Sequence, residues 1–134
     1  MKKGISFVLI VVVLLSFSIN ILADSQITPY YNNVAMTDTF FNISSSGNAK
    51  VTVSFEGSPE IILGATIKTK IQKRFLFFFW QDVTEWVDEV AGSYYTNSHS
   101  ITVDSGTYKA IVEYTIRGTG GDPDVITDEI ERTY

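Results

Sequence analysis

Few residues in this chain have the types and spacing that chemistry requires. His99 is the only histidine and there is no cysteine. A multi-histidine metal site, cysteine-bound zinc and a cysteine–histidine pair are therefore excluded. Serines are frequent, but none sits in a Gly-x-Ser-x-Gly elbow. His99 alternates with Ile101 and Val103 and reads as a partly covered strand residue rather than a general base. Two carboxylate pairs, Asp82 with Glu85 and Asp122 with Asp124, invite comparison with glycosidases, which place two carboxyl groups at a fixed separation. In an acidic chain these groups are explained first as surface charge, and no hydrolase is expected. Asp122-Pro123-Asp124, on a glycine-bearing loop, also offers the oxygen ligands that calcium prefers. Its spacing matches no calcium loop, and a solvated turn is the simpler account. The expectation is a chain with no catalytic residue, no metal and no cofactor.

The stretch Phe75-Leu76-Phe77-Phe78-Phe79-Trp80 calls for a different explanation. Alternate side chains of a strand point to opposite faces, so six large apolar residues in a row cannot all reach one core. About three must be exposed unless something covers them. Two accounts follow. The stretch is a contact surface for a partner protein, a surface ligand or a membrane interface, or residues 75–79 fold back over the end of the sandwich or pack on Tyr30 and Tyr31.

The elements that must carry these residues centre on Asp104-Ser105-Gly106-Thr107-Tyr108-Lys109-Ala110. A tyrosine that enters a strand just after an Asp-x-Gly turn matches the tyrosine corner of immunoglobulin-like sandwiches, with the ring inside and the hydroxyl bonded to backbone upstream. Ala110 stands where antibody domains have a disulfide cysteine. The centre is thus apolar and without a crosslink. From there Ala110, Val112, Tyr114 and Ile116 point inward with Tyr108, while Lys109, Glu113, Thr115 and Arg117 point out.

Other strands follow the same period. Val51, Val53 and Phe55 alternate with polar residues, and a long strand over 61–73 puts Ala65, Ile67, Thr69 and Ile71 on one face and Thr66, Lys68, Lys70 and Gln72 on the other. The lysines read as a solvated face, with Asp82, Glu85 and Asp88 as cross-strand partners. Residues 80–90 lack one clean period, and a bulge there would give both Trp80 and Trp86 an apolar setting. Turn clusters at 44–48, 57–59, 92–93 and 118–124 separate about seven strands in all. That count favours an all-β, immunoglobulin-like sandwich of antiparallel strands over 34–134.

Ahead of it, Lys2 and Lys3 precede an apolar run from Ile5 to Leu15, then polar Ser16, Ser18 and Asn20, then Ala23. This is the order of a secretory signal peptide over 1–23. The alternative is an uncleaved anchor, since Ile5 to Leu22 approaches the roughly 20 residues that span a bilayer. Residues 24–33, with Pro29, form an irregular lead-in. The full chain carries a net charge of −5, and losing Lys2 and Lys3 makes it more acidic. Nucleic acid is not an expected partner, nor is a generic attraction to anionic lipid.

Taken together, Val51-x-Val53, the strand ending Ile71-Gln72-Lys73, Trp80-x-x-Val83-x-x-Trp86 and Ser105-Gly106-Thr107-Tyr108-Lys109 resemble the short secreted Ig-like proteins of Gram-positive, clostridium-type bacteria. The similarity spans most of 47–134 and implies export and a sandwich fold; it carries over no catalytic residue. The chain departs from the pattern where Phe75 to Phe79 replace a polar turn. The expected function is a secreted, non-enzymatic binding or surface-interaction module. The alternative is a membrane-active or toxin-like exported protein that acts through residues 75–80.

Overall fold

A computed structural model describes residues 31–33 and 35–134. The expected signal peptide, most of the lead-in and the boundary residue Val34 lie outside the described residues. The described part is all-β: β1 (Ala35–Ile43), β2 (Asn48–Gly57), β3 (Ile62–Phe75), β4 (Phe79–Ala91), β5 (Tyr94–Thr102), β6 (Thr107–Gly118) and β7 (Asp124–Thr133). They form two antiparallel sheets, β1-β2-β5 and β4-β3-β6-β7. The fourth strand departs from constant-type immunoglobulin domains, where it joins the sheet of the first, second and fifth. Here β4 remains hairpin-paired with β3 from Gly64↔Ala91 to Phe75↔Phe79. The apolar stretch is the turn of that hairpin.

Strict alternation places the core. Phe41, Val51, Val53 and Phe55 from one sheet meet Ile67, Ile71, Val112 and Ile116 from the other, all fully or almost fully buried. Phe40, one residue from Phe41, points outward and is exposed, as the period of a strand requires. On the β1/β7 flank a polar chain ties the sheets together: the buried Tyr114 donates its hydroxyl to Asp38 O at 2.9 Å, and Thr39 Oγ1 donates to Asp128 Oδ2 at 2.7 Å.

The segment at 80–90 does contain a bulge, and its consequence differs from the expectation. Ile71 pairs with Thr84 but Gln72 with Asp82, so Val83 is the extra residue. An extra residue flips the parity of everything beyond it. Trp80 and Trp86, six apart, would share a face in a regular strand; the bulge puts Trp80 outside and Trp86 inside. Likewise Asp82 and Glu85 share the outer face, with Lys70 Nζ 3.3 and 3.4 Å away. Asp88, expected to join them, faces inward instead.

The loop 119–123 is exposed as expected of a solvated turn, but Asp124 at its end is not. Asp124 is only 5% exposed, and its two carboxylate oxygens accept the backbone N–H groups of Asn32 and Asn33 at 2.6 and 2.7 Å. Asn33 Oδ1 in turn accepts Gly120 N at 2.9 Å. Gly120 has to be glycine, because a Cβ there would stand 1.9 Å from Asn32 O. Asp124 is thus engaged by backbone donors, while the Asp122 carboxylate stays at the exposed part of the loop.

Candidate functional site

The β3–β4 hairpin owes its prominence to strand length. β6 stops pairing with β3 at Lys73↔Tyr108, so Arg74, Phe75 and the turn extend past their neighbour. Phe75 and Phe79 continue the inward-facing line of Ile71 and Lys73, but the opposite sheet does not reach this far. Relative exposure is therefore 56% for Phe75, 59% for Leu76, 90% for Phe77, 72% for Phe78 and 57% for Phe79. More of the stretch is exposed than strand alternation alone predicts, because the middle of the run is a turn rather than a strand. The fold-back account does not hold for these five residues.

The turn itself is strained. Leu76 and Phe77 have φ of 46° and 70°, the left-handed region in which glycine and asparagine are at home and bulky side chains are not. Each such residue costs about 1–3 kcal/mol. Phe78 N donates to Leu76 O at 2.9 Å, and the rings of Phe78 and Phe79 lie 4.8 Å apart. The sequence pays twice here, in strain and in exposed apolar area.

Below the turn lies a collar of cations. On the outer face, Arg74 Cζ sits 5.0 Å and Lys109 Nζ 4.5 Å from the ring of Trp80, within cation–π range. Arg74 is also 2.7 Å from Glu131, and Lys109 is 3.4 Å from Glu129. On the inner line, Lys73 Nζ lies 5.5 Å from the Tyr108 ring and 2.9 Å from Asp104 Oδ1. Tyr108 is 1% exposed, with its hydroxyl 2.8 Å from both Asp104 O and Asp104 Oδ1. This is the tyrosine-corner geometry, and Lys73 holds the Asp104 carboxyl down to about 2, with Tyr108 as the second cause. Ala110 is fully buried beside it, and Gly106 exchanges backbone hydrogen bonds with Tyr134. Through Lys73 the corner residues 104–110 buttress the base of the 75–80 hairpin.

Lys73, Arg74 and Lys109 were not singled out as site residues from the sequence. For Lys73 the signal was legible: the parity that puts Ile67 and Ile71 inside also puts Lys73 on that line, where a lysine needs an acidic partner such as Asp104. The pairing of Lys109 with Trp80 depends on the bulge and could not be read.

His99 takes part in a second polar cluster between β4 and β5. Its Nε2 is 2.6 Å from Asp88 Oδ2, and its ring stacks on Trp86 at 4.9 Å with an 11° tilt. Asn97 Nδ2 lies 3.5 Å from both. As for Asp82, Gln72 first and Lys70 second hold its carboxyl below the usual range. A glycosidase general acid needs the opposite shift.

No known protein family and no curated protein matches the chain. Among solved structures, a protein from Archaeoglobus fulgidus is similar over 74% of this chain and 95% of its own, at 9% identity and a TM-score of 0.31.

Proposed function

We propose that the chain is an exported, non-enzymatic β-sandwich module that makes its functional contact through the hairpin 75–80. The observation that carries this reading is the joint cost of the turn: Leu76 and Phe77 adopt left-handed backbone while they and their three neighbours stay exposed. Asn-Gly would close such a turn without strain and without exposed apolar area. Burying one such side chain against a partner is worth roughly 1.5–3 kcal/mol, so two or three together give useful affinity. The signal-like order of residues 1–23 supports export.

The test is the double variant Phe77→Ser/Phe78→Ser. It should unfold at the same urea midpoint as the wild type or a higher one, remain monomeric in sedimentation velocity, and lose whatever contact the wild type makes. A double variant that is unfolded in water would make these residues core and end the reading.

A further inference from the structure

We propose that the surface this hairpin contacts is the headgroup–acyl boundary of a lipid bilayer, entered by apolar insertion without help from anionic lipid. The inference rests on the reading of residues 75–80 as the contact surface, and four features of the hairpin lead to it.

The first is depth. Phe77 at the apex stands two residues above the Phe75↔Phe79 pair, at most about 7 Å of backbone at the rise of a strand, with its own side chain reaching beyond. Apolar elements that lie in a membrane interface bury themselves by about 5–10 Å. The second is the order of side chains along the hairpin. Five exposed apolar residues at the tip are followed by Trp80 and then by the cations Arg74 and Lys109 against its ring. Tryptophan prefers the headgroup level, and long cationic side chains keep their heads on the water side of it.

The third feature is shape. The tip projects past the end of β6 with five exposed apolar side chains on a narrow two-stranded ribbon, which offers a second copy of the chain little area to match. Fluid acyl chains need no matching shape. Its backbone is also partly self-satisfied, with Phe78 N bonded to Leu76 O and Phe75 paired with Phe79, which limits the polar groups carried into the boundary. The fourth is charge. Arg74 and Lys109 are both paired with glutamates, and the chain as a whole is acidic at −5. A surface of this kind gains nothing from negative lipid, so insertion should depend little on salt.

The experiment uses the full chain carrying Trp86→Phe, which leaves Trp80 as the only indole, and vesicles of pure phosphatidylcholine. Residues 1–30 contain no tryptophan, so the signal reports the surroundings of the hairpin itself, and the Phe77 variants, which share residues 1–30 with the wild type, separate hairpin insertion from tethering by that segment. Trp80 emission should shift to the blue on adding vesicles and be quenched by lipids brominated near the headgroup end of the acyl chain. The affinity read from this signal should change less than about twofold between low salt and 0.5 M salt. Adding Phe77→Ser/Phe78→Ser should weaken it by about 100-fold or more. Phe77→Glu alone, at the most exposed position, should weaken it at least tenfold and keeps the test open if the double variant fails to fold.

An unresponsive Trp80 combined with wild-type self-association that the Phe77 variants abolish would overturn the lipid assignment and leave the contact surface standing. An unresponsive Trp80 with no self-association would overturn the lipid assignment as well. Binding that requires anionic lipid and disappears in salt would overturn apolar insertion.

Discussion

Thr69 is buried with no partner for its hydroxyl, the only such side-chain atom among the described residues. It sits on the inner face of β3, paired with Trp86 on one side and Val112 on the other. An unsatisfied buried hydroxyl costs about 1–3 kcal/mol, whereas an apolar group of the same shape costs nothing comparable. Thr69→Val should therefore raise the unfolding free energy by roughly 1–2 kcal/mol, read as a higher urea midpoint at unchanged m-value. No change, or a loss, would show that the hydroxyl is satisfied in solution. Tyr108 and Tyr114 present the contrasting case. Both are buried, and both place the hydroxyl within 3 Å of an acceptor. The corner made the first legible from the sequence through its local Asp-x-Gly signal. The second depends on Asp38 and Thr39, which lie more than seventy residues away.

At the scale of elements, the β3–β4 hairpin combines two choices that a sequence selected only for stability would avoid: left-handed bulky residues at its turn and a bulge at Val83 within one arm. The turn choice can be tested separately from the fold. Leu76→Asn/Phe77→Gly supplies the residues that a left-handed turn prefers. Removing two strained positions, offset by the added unfolded-state freedom of glycine, should stabilise the domain by at least about 1 kcal/mol in urea titration, while the contact made by the hairpin is lost. A double variant less stable than the wild type would mean that the exposed side chains support the fold after all. The Val83 bulge has the opposite standing: it serves placement. It sends Trp80 out to Arg74 and Lys109 and Trp86 in to His99. A long edge strand that is bulged and carries Asp82, Glu85 and Glu89 is also a poor template for edge-to-edge pairing.

For the molecule as a whole, the hairpin and the first described residues occupy opposite poles. Asn32 and Asn33 are clamped by Asp124 beside the β6–β7 loop, and the turn 76–78 lies at the far end of a 14-residue β3, about 45 Å away at strand rise. The tip accordingly points away from the segment through which the chain enters the sandwich. Stability of the whole fold should narrow at both ends of the pH scale. Asp104 is held down to about 2 from 3.8, by Lys73 first, so its contribution is complete above the unfolded value and is lost as pH falls from about 4 towards 2. Burial pushes the Tyr114 phenol up to about 12 from 10.0, so the unfolded chain ionises first and stability falls as pH rises between those values. Urea midpoints measured across pH should show both slopes, and Asp104→Asn should show a shallower acid one, with the part due to Asp82 remaining. An Asp104→Asn variant with an undiminished acid slope would assign that slope to other carboxylates. The number of strands, the inward faces of β2, β3 and β6, the corner at Tyr108 and the anomaly of residues 75–80 were all determined by the sequence itself, because alternation and turn chemistry are local and each is written within a few consecutive residues. Which sheet β4 joins, which way Trp80 and Asp88 face, and that Asp124 is a clamp rather than a solvated turn were decided only in three dimensions. Each depends on one inserted residue or one partner distant in the chain, and neither leaves a local pattern to read.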